Sequence, residues 1–235
     1  MREIKTLLAQ YIKSLIFEVA ISPSQAFNDQ IILYVTDNEP VMKFHLINVG
    51  KVVETLRKIL SPRERYFKEK LNEALNSGIV GSLKIRWNEN YNGFEVKNII
   101  APGFGPLLYD MAMQYLTNEK NSALLPDRGS VNSSAENVWK KYFSIRPDVE
   151  KESFERSENA TDDEDDVSAK PWLMTKYTNN QTDYIKIMDP DILLDAIINV
   201  TNEIGFNVDP SFLEASVDRN LDILGQRKFV SGYSY

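Results

Sequence analysis

Apolar positions recur along this chain with two periods, and the switches between them predict an ordered series of helices and strands. In residues 3–19, Ile4, Leu7, Leu8, Tyr11, Ile12, Leu15, Ile16 and Val19 stand at helical spacing, the mark of an amphipathic helix. The runs QIILYVT and VMKFHLINV read as two strands of a hairpin, joined by the turn residues Asp37-Asn38-Glu39-Pro40. A helix is expected from about Lys51 to Leu60. Ser61-Pro62-Arg63-Glu64 predicts a fresh helical start, with Ser61 as cap, Pro62 in the first turn and Glu64 closing a capping box. That second helix should end near Asn76-Ser77-Gly78. IVGSLKIRWN and GFEVKNIIA are two further strands across the turn-rich ENYN.

The stretch APGFGPLLYDMAMQYL (101–116) comes next, and it sets two glycines and two prolines before a dense apolar run. From Leu107 to Leu116 apolar residues occur nearly all round, which predicts a buried helix. SALLP is a short buried strand. Ser133 and Glu136 form a second capping box, opening a helix that carries Val138, Trp139, Tyr142 and Phe143 and closes at Arg146-Pro147. PWLMTKY and DYIKIM are expected to pair as a hairpin across Asn179-Asn180. The tail holds an internal echo: residues 189–205 and 209–225 each open with Asp-Pro and close with Gly, which predicts two helices in a hairpin. The order implies an α+β fold over residues 1–188, followed by a helical hairpin and tail over 189–235.

The formal net charge of −7 is local. Residues 150–166 hold nine acids against Lys151 and Arg156, and the rest of the chain is balanced. A balanced body offers no basic face for nucleic acid. The region 150–169 is polar, acidic and poor in large apolar groups, which suits a solvated insertion or a contact with a basic protein partner. With no cysteine, thiol nucleophiles and thiolate metal sites are excluded; with the single histidine His45 in a strand, a triad or a His-based metal cluster is not expected, and no metal is expected. Cysteine-free composition and a start without a secretory pattern favour the cytoplasm, and no apolar run is long enough to span a bilayer.

The strand, glycine turn, helix and strand order resembles the GCN5-related N-acetyltransferase (GNAT) superfamily, and the likeness covers roughly residues 1–190. Gly103-Phe104-Gly105 followed by Pro106-Leu107-Leu108 is similar to the end of that family's central motif. The same set, with Asp127-Arg128 and Val138-Trp139, is also similar to GNAT-like proteins encoded by tailed bacteriophages, which implies a host cytoplasm or a virion. The resemblance implies a mixed central sheet flanked by helices, with residues 94–100 and 122–126 as neighbouring parallel strands. It implies acetyl-CoA as the donor, with Ile99 and Ile100 on the acetyl-binding strand and Gly103, Phe104, Gly105 and Leu107 at the pyrophosphate. Ile100 stands where the family carries Gln or Arg, and Pro102 directly precedes Gly103.

Acetyl transfer to an amine needs a polarised thioester carbonyl, a base for the amine and an acid for the departing thiolate. Glu95 on the acetyl strand is the candidate base. Trp139 occupies the position four after Ala135 where the family places its general-acid tyrosine, so Tyr142, one turn on, is the candidate acid. Two functions follow: an acetyltransferase, or an inactive GNAT-like scaffold serving as a virion component or host-directed binding protein.

Overall fold

The computed structural model describes residues 25–26, 29–62, 65–127, 131, 133–154 and 170–231, with backbone alone from 224 onward. The helix expected over 3–19, Arg128 and residues 155–169 of the acidic region therefore lie outside the described residues.

Strands β1 (Ile31–Asn38) and β2 (Val41–Asn48) form the expected hairpin, with Leu33 opposite Leu46 and Val35 opposite Phe44. Two helices follow, α1 (Val49–Ile59) and α2 (Phe67–Gly78), then β3 (Ile79–Asn88) and β4 (Gly93–Ile100). Helix α3 (Gly105–Glu119) leads to β5 (Leu124–Leu125) and α4 (Ser133–Ser144). Strands β6 (Glu150–Ser153) and β7 (Thr175–Thr178) complete one sheet of seven strands, ordered β1-β2-β3-β4-β5-β7-β6. The tail adds α5 (Pro190–Glu203) and α6 (Pro210–Ser231). The fold is α+β with a mixed sheet. Every adjacent pair is antiparallel except β4 and β5, where Phe94 faces Leu124 and Glu95 faces Leu125 in parallel. Of the expected parallel strands 94–100 and 122–126, the pairing covers Phe94–Glu95 and Leu124–Leu125.

The strand alternation sorts side chains onto two faces. Leu33, Phe44, Leu83, Ile85, Phe94 and Val96 turn toward α3, whose Leu107, Leu108, Met111, Ala112 and Met113 are buried against them. Lys97 is an extra residue on β4, since Lys84 pairs with Asn98 while Ile85 pairs with Val96. This bulge resets the alternation, so that Val96 and Ile99 can both face the α3 side. On the opposite face, Ile32, Tyr34 and Ile47 lie under α1, α2, α5 and α6. The two tail helices share this core with α1 and α2. Lys43, only 3% exposed, bonds Asp222 on α6, and the Tyr34 hydroxyl donates to Asp218 on the same helix. His45 is buried beside Ser82, with Nδ1 and Oγ 2.9 Å apart.

Local sequence accounts for most helix ends. Asn48 Oδ1 accepts from the Lys51 amide (2.9 Å) and starts α1. Asp189 and Asp209 accept from the amides of Asp191 (3.2 Å) and Phe212 (3.0 Å), so both Asp-Pro signals act as caps. Three expectations need correction. Helix α2 begins at Phe67, beyond the Ser61-Pro62 signal, because Phe67, Leu71, Ala74 and Leu75 supply its buried stripe while Ser61 and Pro62 remain exposed. Gly225 does not stop α6, which runs on to Ser231.

The hairpin expected over 172–188 is not formed either. Pro171–Leu173 and Asp183–Lys186 are 3-10 turns, and β7 pairs instead with β6. Asn179 is fully buried and its Oδ1 accepts from the Gln181 amide (2.9 Å), a side-chain turn that ends the strand. Tyr184 and Ile187, three apart and both buried, suit a 3-10 turn better than a strand. The acidic region consequently begins inside β6 and forms the connection from β6 to β7.

Gly78 closes α2 against α1. A Cβ there would overlap Val52 Cγ2 and sit 3.0 Å from Asn48 O. Gly78→Ala should therefore destabilise the protein by about 1–3 kcal/mol through overpacking, despite alanine's helix preference of about 1 kcal/mol. A urea midpoint equal to or above that of the wild type would refute this.

Candidate functional site

The candidate site lies at the carboxyl ends of the parallel pair, where ligands bind in open sheets that contain parallel strands. Strand β5 is two residues long, and Pro126, which has no N–H to extend a ladder, follows at once. Past Glu95, β4 has no ladder partner on its β5 side among the described residues. Ile99 and Ile100, both half-buried, occupy this last stretch of β4.

The turn from β4 into α3 is built by Gly103, with φ of 78°, a left-handed value that disfavours a side chain. The Phe104 amide is taken up by the Ala101 carbonyl (2.9 Å), and the Leu108 amide donates to Phe104 O (3.0 Å). No side chain caps this helix start. Since Pro106 has no N–H, Gly105 and Leu107 are the amides left without an intrahelical acceptor. A Cβ added at Gly105 would meet nothing within 4 Å. The turn is therefore open on the side where its first residues project, with the positive end of a fifteen-residue helix behind it. Leu107 buries its side chain in the core, and Phe104 packs against the same cluster.

Beneath the turn lies a network absent from the sequence reading. Arg146 forks onto Asp148, with Nε–Oδ1 2.7 Å and Nη2–Oδ2 2.5 Å, and its Nη1 reaches the Asp110 carboxylate at 3.2 Å. Asn179 Nδ2 donates to Asp148 (3.3 Å) and joins the end of β7 to the group. Burial raises the Asp110 pKa against the opposing pull of Arg146. The hydrogen bond from Arg146 holds that of Asp148 below the usual carboxylate range. With Arg146 as its partner, Asp110 does not present a bare negative charge to the helix start.

Tyr142 is brought to this turn: its hydroxyl donates to the Pro106 carbonyl at 3.1 Å. The side chain is buried, and burial followed by the Asp110 charge raises its pKa well above that of a free phenol. Trp139 stacks into the same enclosed cluster, 4.8 Å from the Tyr109 ring and 5.1 Å from that of Tyr177. Glu95 is placed elsewhere. Phe94 and Val96 face α3, so the Glu95 side chain projects from the opposite face of the sheet, where it accepts from Asn88 Nδ2 and Lys97 Nζ, each at 2.8 Å. The candidate acid and the candidate base thus stand on opposite faces of one sheet.

No family model, curated protein or solved structure matches this chain. Among the described residues, no cluster of acidic or histidine side chains could hold a metal ion, and no helix is long and apolar enough to cross a membrane.

Arg146 lies two residues past the end of α4 with Asp148 two residues further on, but its other carboxylate, Asp110, comes from a distant part of the chain. These carboxylates titrate with opposite consequences. Asp110, raised in the fold, contributes stability that is present at acid pH and declines as pH rises through its folded pKa. Asp148, lowered in the fold, contributes stability above its unfolded pKa that is lost as pH falls through its folded value. Asp110→Asn should therefore gain on the wild type as pH climbs from about 4 to 7, while the deficit of Asp148→Asn should shrink below about pH 4. Urea midpoints across that range check both trends, and a shared direction would refute the assignment.

Proposed function

We propose that this chain is a GNAT-like acyl-coenzyme A-binding protein, with acetyl transfer to an amine acceptor as its reaction. The observation that carries this reading is the sheet's one parallel pair, β4 and β5, bridged by a helix whose start is uncapped and led by an open glycine turn. The amides of Gly105 and Leu107 and the positive end of α3 would hold the pyrophosphate. The edge of β4 from Val96 to Ile100 would supply amides for the thioester carbonyl. Acetyl-CoA brings an activated acyl group: the amine nitrogen bonds to the carbonyl carbon as the carbon–sulfur bond breaks. The thiolate takes up a proton as the amine loses one. Tyr142, whose hydroxyl meets the turn at Pro106 O, would be the proton donor, although the burial that raises its pKa makes the transfer to a thiolate harder.

A second reading is favoured by one observation, the placement of Glu95 and Tyr142 on opposite faces. With no base beside the acid, the same site would bind without turnover. The chain would then be an inactive scaffold, a virion component or host-directed binding protein, with the acidic region 150–169 meeting a basic protein surface.

Calorimetry with acetyl-CoA tests the shared premise. Binding tighter than roughly 100 µM, about −5.5 kcal/mol, is expected. Gly105→Val should abolish it while leaving the unfolding midpoint nearly unchanged, because the added side chain enters open space. Gly103→Val is a poorer probe than the sequence suggests, since φ of 78° strains any β-branched residue there. Undiminished affinity in Gly105→Val would show that the turn is only a corner. Binding without release of free thiol in the presence of amines would select the second reading.

A further inference from the structure

Away from the glycine turn, an open groove of about 790 Å³ lies beside the start of β1. Its walls are two helices and a strand. Helix α1 lines it with Gly50, Val53 and Arg57, and α5 lines it with Ile192 and Ala196. These are positions i, i+3 and i+7 on one helix and i, i+4 on the other, so each helix offers a single face. Ile32 closes the floor. Ile192 is 37% exposed, a large apolar side chain left facing outward by the described residues.

The rim is polar but already matched. Arg57 pairs with Glu203 at 3.0 Å, and Lys58 with Glu54 at 2.5 Å. A charged ligand would find no spare counter-charge there, and the apolar walls are what the groove can recognise. Two facing helices over a strand have the shape that receives a third amphipathic helix.

We infer that the occupant is residues 3–19 of this same chain. Their spacing sets Ile4, Leu8, Ile12 and Leu15 on one helical face. Gln30 and Ile31 line the groove, and Ala26 just before them is buried in the α3-side core, so the chain passes the groove at the edge of the sheet. Residues 20–25 can span at most roughly 20 Å, which keeps the segment beside the groove. A seventeen-residue helix would be about 25 Å long, against about 21 Å for α5, so it can lie along that whole wall. The docked segment would cover Val53, Ile192 and Ala196.

Because the chain has no cysteine, engineered pairs report the contact without background. In the full chain, Ala196→Cys is combined in turn with Leu8→Cys, Ile12→Cys or Leu15→Cys, and with Gln10→Cys or Lys13→Cys as polar-face controls. Oxidation should give an intramolecular disulfide in at least one apolar-face variant, roughly tenfold or more faster than in either control, since access follows the population of the docked form. Trypsin cleavage after Lys13 should quicken by a similar factor in Ala196→Arg, and in Val53→Glu should the arginine variant fail to fold. Equal oxidation rates in all pairs would overturn the proposal, as would unchanged cleavage in the folded groove variants. Covalent dimers in place of monomers would overturn it too, because the occupant would then be a second copy.

Discussion

A helix with apolar residues on nearly every side has to be enclosed, and α3 imposes that requirement on its surroundings. One side is met by the sheet through Phe44 and Leu83. The other is met by the aromatic cluster of Trp139, Tyr142 and Tyr177 and by the segment after β7. That segment is fixed by polar residues on the later turns of α3. Gln114 Oε1 accepts from the Tyr184 amide (3.0 Å), Thr117 Oγ1 from the Asn179 amide (3.0 Å), and Asn118 Nδ2 donates to Gln181 O (2.9 Å). A buried glutamine left without such a partner would cost about 1–3 kcal/mol, so the strap and the helix specify each other.

The opposite face is covered on different terms. Lys43 and Tyr34 point into it from β2 and β1, and their partners Asp222 and Asp218 sit one turn apart on α6. The apolar contacts of Leu213, Val217 and Leu221 give adhesion, while the two polar pairs fix where along the sheet the helix may sit. Moved off Asp222, the buried Lys43 ammonium would lose its carboxylate.

Much of this fold is legible in the chain because short-range chemistry carries it. The β1–β2 hairpin, the strand–turn–helix–strand passage around Gly103 and both Asp-Pro helix starts depend on residues within a few positions of one another. The failures share a cause. Ser61-Pro62-Arg63-Glu64 has the right local chemistry for a cap, but the helix begins where Phe67 first finds a buried surface. DYIKIM has strand-like residues, yet the Asn179 turn just before it and Gln114, far from it in sequence, draw it into a turn. At the candidate site, the alternation of Phe94, Glu95 and Val96 already marks Glu95 as facing away from α3. The enclosure of Tyr142 is different, because it depends on Pro106, Asp110 and Tyr177 meeting in three dimensions.

The first strand of the sheet also carries a consequence for assembly in time. The Leu33 amide, on the outer edge of β1, donates to the carbonyl of Ile187 (2.7 Å). This partner follows every strand of the sheet in the sequence and is therefore made after all of them. Until then the outer edge of β1 is uncovered, a feature prone to pair with a neighbouring chain. Contacts this distant in sequence also form slowly. The interval in which nascent chains are vulnerable to aggregation is thus set by the arrival of a single segment near the far end of the fold.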